Sequence, residues 1–159
     1  MHDLFHNFSS IIVFLHVLSA VIWVGGMIAI RFAVHYSMQE IEEPKIKLGR
    51  TLESLRRFFN MVIPSIVLLL LTAIIMIIAL GFKGTPLYSF VIAKEVVWTI
   101  MTLIFVVIFI KRKQAQKAYD EGNLPLAKEK LQPIANLLIP TNIVLGLVAI
   151  FLGITLRGF

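Results

Sequence analysis

Among the ionisable side chains inside the long apolar runs of the chain, His16 and Lys94 stand out most strongly. Placing such groups in a bilayer core is costly, so each marks a functional hypothesis by default. A neutral imidazole offers a lone pair to a metal or a proton; an amine can pair with a carboxylate or ligate in its own right. Glu95 follows Lys94 directly and on a helix points about 100° away from it, whereas Trp98 lies one turn further on the Lys94 face. An imidazole, an amine, a carboxylate and an indole thus fall in one layer, and a ligand pocket between helices is the economical reading. The plainer readings are that Lys94 snorkels to the interface and that His16 bonds a hydroxyl or carbonyl of a neighbouring helix.

The elements that must hold these groups follow from hydropathy. Among 159 residues, 58% are hydrophobic and 15% charged, with a mean hydropathy of +0.90. A water-soluble core cannot absorb that much apolar surface in a chain of this length. Spanning a bilayer takes roughly 20 apolar residues, and four such windows occur, at 9–30, 59–80, 87–110 and 134–156. The expectation is a single transmembrane domain over 1–159, an all-α integral membrane four-helix bundle. The first window lacks a basic leader and carries His16, Trp23 and Gly25-Gly26, so it reads as a retained helix rather than a signal peptide. With no cysteine, thiolate metal sites and disulfides are excluded.

The net charge of +6 is concentrated between windows. Lys45, Lys47, Arg50, Arg56 and Arg57 lie between the first two, and Lys111, Arg112, Lys113, Lys117, Lys128 and Lys130 between the last two. The positive-inside rule then puts both basic segments in the cytoplasm and both termini outside, in a multi-pass protein of the bacterial cytoplasmic (inner) membrane. The bilayer and its anionic lipids, not nucleic acid, are the expected partners of this charge. Leu48, Leu52 and Leu55 at helical spacing extend the second helix inward as an amphipathic stem.

Windows two and four open on nearly the same phrase, Asn60-Met-Val-Ile-Pro64-Ser65 and Asn136-Leu-Leu-Ile-Pro140-Thr141. This repeat predicts two helical hairpins related by a pseudo-two-fold axis along the membrane normal. Each proline frees a carbonyl one turn back, which Ser65 or Thr141 could help satisfy, and a bend there could open room for a cofactor. Gly146 and Gly153 form a close-packing stripe for an intrachain contact or a homodimer.

Haem b is the cofactor that best fits these residues: His16 as axial ligand, Gly25-Gly26 for close approach of a flat face, and Lys94 for a propionate or the sixth position. A second histidine from the same chain is badly placed, since His35 lies roughly 28 Å along the helix from His16. Arg31 and His35 read mainly as interfacial residues. Copper is the alternative metal. Its candidates are Met27, Met61, Met76 and Met101, with His2, Asp3 and His6 at the terminus, although the methionines read more readily as core filler.

The order His16-x6-Trp23-x2-Gly26, Arg31, His35, then Arg56-Arg57 with Asn60 and Pro64, Lys94, and Asn136 before Pro140-Thr141 covers nearly the whole chain. It resembles the HemJ-type protoporphyrinogen IX oxidases and, more loosely, the CopD copper-resistance membrane domain. The resemblance implies a haem b site with His16 as axial ligand and Lys94 as second ligand or substrate contact, and electron transfer from a porphyrinogen towards a respiratory chain. Beside the resemblance, Trp23, Gly26, Arg31 and Trp98 are expected to line the cofactor, Glu95 to join Lys94 in catalysis, and His35 to be a further metal ligand. Ile92 stands where that family tends to have histidine, which makes this chain a divergent member. Three functions are therefore expected in competition: electron transfer or oxidation of a quinone- or porphyrin-like substrate, copper transport or resistance, and a non-catalytic accessory subunit.

Overall fold

The computed structural model describes residues 2–81 and 83–157, with side chains for 7–81 and 83–156. Four helices long and apolar enough to cross a membrane make up the chain: α1 Asn7–Gln39, α2 Pro44–Leu80, α3 Tyr88–Asp120 and α4 Leu124–Leu156. They form an all-α four-helix bundle with no strand among the described residues. The turns carry ordinary punctuation. Pro44 opens α2, Gly81 closes it at φ +59°, and Gly122 at φ +76° turns α3 into α4. The Asn123 side-chain oxygen accepts the Leu126 backbone N–H at 3.1 Å, capping α4.

Large apolar side chains cover the outside of all four helices, with Phe14 and Phe32 of α1, Leu71 of α2, Leu103 of α3 and Phe151 of α4 each more than half exposed. Only hydrocarbon accepts such a surface, so the bundle is a multi-pass membrane protein. The two ends differ. One carries the basic connections α1–α2 and α3–α4, called the basic end below; the other carries the α2–α3 connection and the chain termini.

Pairing is by hairpins: α1 packs chiefly on α2, and α3 on α4. What joins the hairpins is an apolar core confined to the basic half. Trp23, Val24 and Met27 of α1 meet Leu52, Leu55, Phe58, Phe59 and Val62 of α2, Met101, Phe105 and Ile108 of α3, and Ile134, Ile139 and Ile143 of α4. Trp23 and Phe59 both stand edge-on to Phe105, with ring centroids 6.2 and 5.3 Å away. Gly146 lets Val24 approach α4; a Cβ there would sit 2.6 Å from Val24 Cγ2. In the other half, the first segment of α1, up to Ala20, packs chiefly on α2.

The helices are less regular than the repeat suggests. α1 contains π-turns at Val21–Gly25 and Ile30–Val34, and α4 one at Ile134–Leu138. Pro140 follows the latter, whereas Pro64 sits in unbroken α-helix. Ser65 is buried and donates to the Met61 carbonyl at 2.9 Å, not to Asn60; Thr141 is exposed. Asn60 and Asn136 both face outward. The repeated phrase therefore lies well inside each hairpin's second helix, which begins at Pro44 or Leu124, and its two copies differ in local geometry.

Candidate functional site

The His16 ring is buried at 9% exposure, and its Nδ1 lies 2.9 Å from the Thr72 hydroxyl of α2. Thr72 has one hydroxyl proton, and it is directed to the Leu68 carbonyl at 2.8 Å. The oxygen is left to accept, so Nδ1–H of His16 donates to it, an assignment made from the network. The consequence is chemical. Neutral His16 then carries its lone pair on Nε2, which has no hydrogen-bond partner among the described residues. A fixed Nδ1–H and a free Nε2 are the arrangement a metal-ligating histidine needs.

Lys94 of α3 reaches across to α4. A Cβ on Gly153 would lie 3.0 Å from its Nζ, so the missing side chain at 153 is what makes room for the amine. Lys94 is half-buried and forms no hydrogen bond or ion pair among the described residues.

Packing register puts these groups at one level. Moving from Trp23 back to His16 along α1 corresponds, on the parallel helix α3, to moving from Phe105 to Trp98. The same move from Val24 runs, on antiparallel α4, from Gly146 to the vicinity of Gly153. Each helix thus contributes to a single layer: His16, Thr72, Trp98 and Gly153, with the Lys94 amine resting on the last. The Trp98 indole N–H is enclosed and has no acceptor. The polar ties described in this half stay within a hairpin, and the layer lies at the edge of the core, against which Trp98 packs.

The other residues singled out from the sequence fall elsewhere in the bundle. Trp23 is 1% exposed, packed into the core one level inward, its N–H also without an acceptor. The space at Gly26 is taken by the Phe58 ring, whose Cε2 would be 2.6 Å from an added Cβ, so this glycine serves helix packing and not the approach of a flat ligand. Glu95 is exposed on the outer face of α3 and does not join Lys94. Arg31 and His35 lie near the basic end, Arg31 roughly 22 Å along α1 from His16. Met27 and Met101 are core residues and Met61 faces outward; the side chains of His2, Asp3 and His6 lie outside the described residues. Among the described residues no three His, Asp or Glu side chains gather to hold a metal ion.

Two interior polar residues give little sign of themselves in the sequence. Thr72 looks like one more small residue in an apolar run, although at helical spacing it shares a face with Leu69 and Ser65. Asn142, fully buried, donates to the Met101 carbonyl at 3.2 Å and leaves its oxygen unpartnered. Its one signal is its place directly after the Pro140-Thr141 pair. Compared with known proteins, the chain matches no family model, no curated protein and no solved structure.

Proposed function

We propose that the layer between the hairpins holds a b-type haem and that the protein is a membrane-embedded redox protein, exchanging electrons with a quinone- or porphyrin-like substrate. The observation that carries this reading is the Thr72 contact, which fixes the His16 proton on Nδ1 and leaves Nε2 free to ligate. The donor set fits the group: the His16 imidazole would be its ligand, and the half-buried Lys94, without an ion pair among the described residues, suits a carboxylate. Haem would supply one-electron exchange at its iron.

The chain's own residues supply the rest. His16 holds the group and Thr72 orients the ring. Lys94, kept against Gly153, anchors a propionate or a substrate carboxylate, and the Trp98 N–H donates to an acceptor in the same layer. An apolar substrate would approach this layer laterally from the bilayer, where its tail already resides. The distribution of lysine and arginine supports a cytoplasmic basic end; with that orientation, in a bacterial inner membrane, this layer would lie in the outer half of the bilayer. The resemblance to the HemJ-type oxidases points to the same two residues.

The test is the absorption spectrum of protein purified from haem-replete membranes, with a pyridine haemochrome assay. A Soret band that His16→Ala removes or shifts is expected. A colourless wild-type protein overturns the reading.

A further inference from the structure

Arg31 and His35 belong to a second polar cluster, at the basic end of α1, which the redox site does not use. Arg31 is half-buried; its guanidinium carbon lies 5.5 Å from the Tyr36 ring centroid and 5.9 Å from that of Phe32, and its Nη1 is enclosed without an acceptor. One turn on, the His35 ring stands edge-on to Tyr36 at 5.8 Å, with its Nε2 3.4 Å from the Gln39 amide nitrogen. From α2, Lys47 donates to the Gln39 backbone oxygen at 3.1 Å and to its side-chain oxygen at 3.4 Å.

The cluster is therefore made of donors and positive charge with no counter-ion. Glu40, Glu42 and Glu43 in the adjoining turn are exposed and make no ion pair among the described residues. A half-buried guanidinium with an idle N–H edge is unfavourable unless an oxyanion completes it. Position says which oxyanion. Arg31 follows directly on the 9–30 apolar window, and the rings it stacks on, Phe32 and Tyr36, are themselves 62% and 55% exposed on the bundle surface. Aromatic rings flanking a cation at the end of a spanning stretch are the setting of a lipid headgroup.

We propose that Arg31, Lys47, His35 and Gln39 form a binding site for the phosphate of an anionic phospholipid, with Phe32 and Tyr36 against its acyl chains. The guanidinium fork engages two phosphate oxygens, Lys47 adds a point charge from the neighbouring helix, and Gln39 holds that lysine in place. An anionic lipid is favoured over a zwitterionic one because the cluster already holds two cations, Arg31 and Lys47, with no ion pair among the described residues. The site does not depend on haem.

Native mass spectrometry of the purified protein, titrated with phosphatidylglycerol or with phosphatidylcholine, tests it. The expected result is preferential retention of phosphatidylglycerol, weakened about tenfold by Arg31→Gln or by Lys47→Gln, as for a lost charge-assisted hydrogen bond. Arg31→Lys falls between, since it keeps the charge and loses the fork. Lys128→Gln, an equal change of net charge elsewhere, leaves retention unchanged, and far-UV circular dichroism confirms that each variant is folded. Equal loss in Lys128→Gln, equal binding of both lipids, or displacement of the lipid by millimolar inorganic phosphate would each overturn the proposal. If Arg31→Gln fails to fold, Lys47→Gln decides alone.

Discussion

At the scale of single residues, the state of the candidate site depends on one hydroxyl proton. Thr72 spends it on its own helix, and so becomes an acceptor that selects the His16 tautomer. Thr72→Val keeps the shape and removes the acceptor, freeing the ring to rotate or to carry its proton on Nε2. A hydrogen-bond partner that orients a ligating histidine is worth about 10–100-fold in metal affinity. A haem titration should therefore show weaker binding by that order in Thr72→Val and near-normal binding in Thr72→Ser; equal affinity in all three would separate Thr72 from the site. Lys94→Met keeps the stem that packs against α4 and removes the ammonium. The expected outcome is retained haem with an altered reduction potential, read by a redox titration, and an unchanged potential would remove Lys94 from the cofactor's surroundings.

At the scale of elements, two adjacent glycines in α1 make opposite predictions. A Cβ at Gly25 would meet nothing nearer than Val21 at 4.0 Å, whereas one at Gly26 would press on the Phe58 ring at 2.6 Å. Gly25→Ala should raise thermal stability in detergent by up to about 1 kcal/mol through helix propensity. Gly26→Ala pits the same gain against overpacking of about 1–3 kcal/mol and should come out destabilised. Identical melting of the two would show that Phe58 is not held against α1. The stem of α2 at 44–58, beyond the apolar stretch, carries its own pH signature. Glu53 bonds Arg56 at 2.7 and 2.8 Å and Arg57 at 2.8 Å, which holds its carboxyl down at about 2. A depressed folded-state value means that its contribution is fully present above the ordinary carboxylate range, near 4.5, and fades as pH falls towards 2. Acid titration of helicity should show this loss, and Glu53→Gln should abolish that part of the pH dependence.

For the whole molecule, the sequence was most legible where hydropathy alone decides. The windows 59–80 and 87–110 end or begin within a residue of where α2 stops and α3 starts, because Gly81 and the polar 83–86 segment leave little choice. The helical stems at the basic end were readable from Leu48, Leu52 and Leu55. Which residues face one another was not. Helical periodicity places Glu95 away from Lys94 but cannot say which of the two faces inward, and only packing against α4 assigns Lys94 to the interior. Thr72 acquires meaning solely from α1, and Gly26 is claimed by Phe58, a contact no local pattern encodes. Orientation is testable directly, since the chain has no cysteine. A single cysteine at Lys83 should react with a membrane-impermeant maleimide in intact cells, and one at Lys117 only after permeabilisation; the reverse pattern would invert the topology.

At the centre stands the proposed bond from His16 Nε2 to haem in the layer shared by the two hairpins. Replacing His16 by glycine removes the ligand and leaves an imidazole-sized space, so haem titration of His16→Gly with and without free imidazole examines that bond itself. The expected result is weak binding by the variant and recovery of the wild-type absorption spectrum when imidazole is added. Unchanged affinity and spectrum in His16→Gly without imidazole would contradict it.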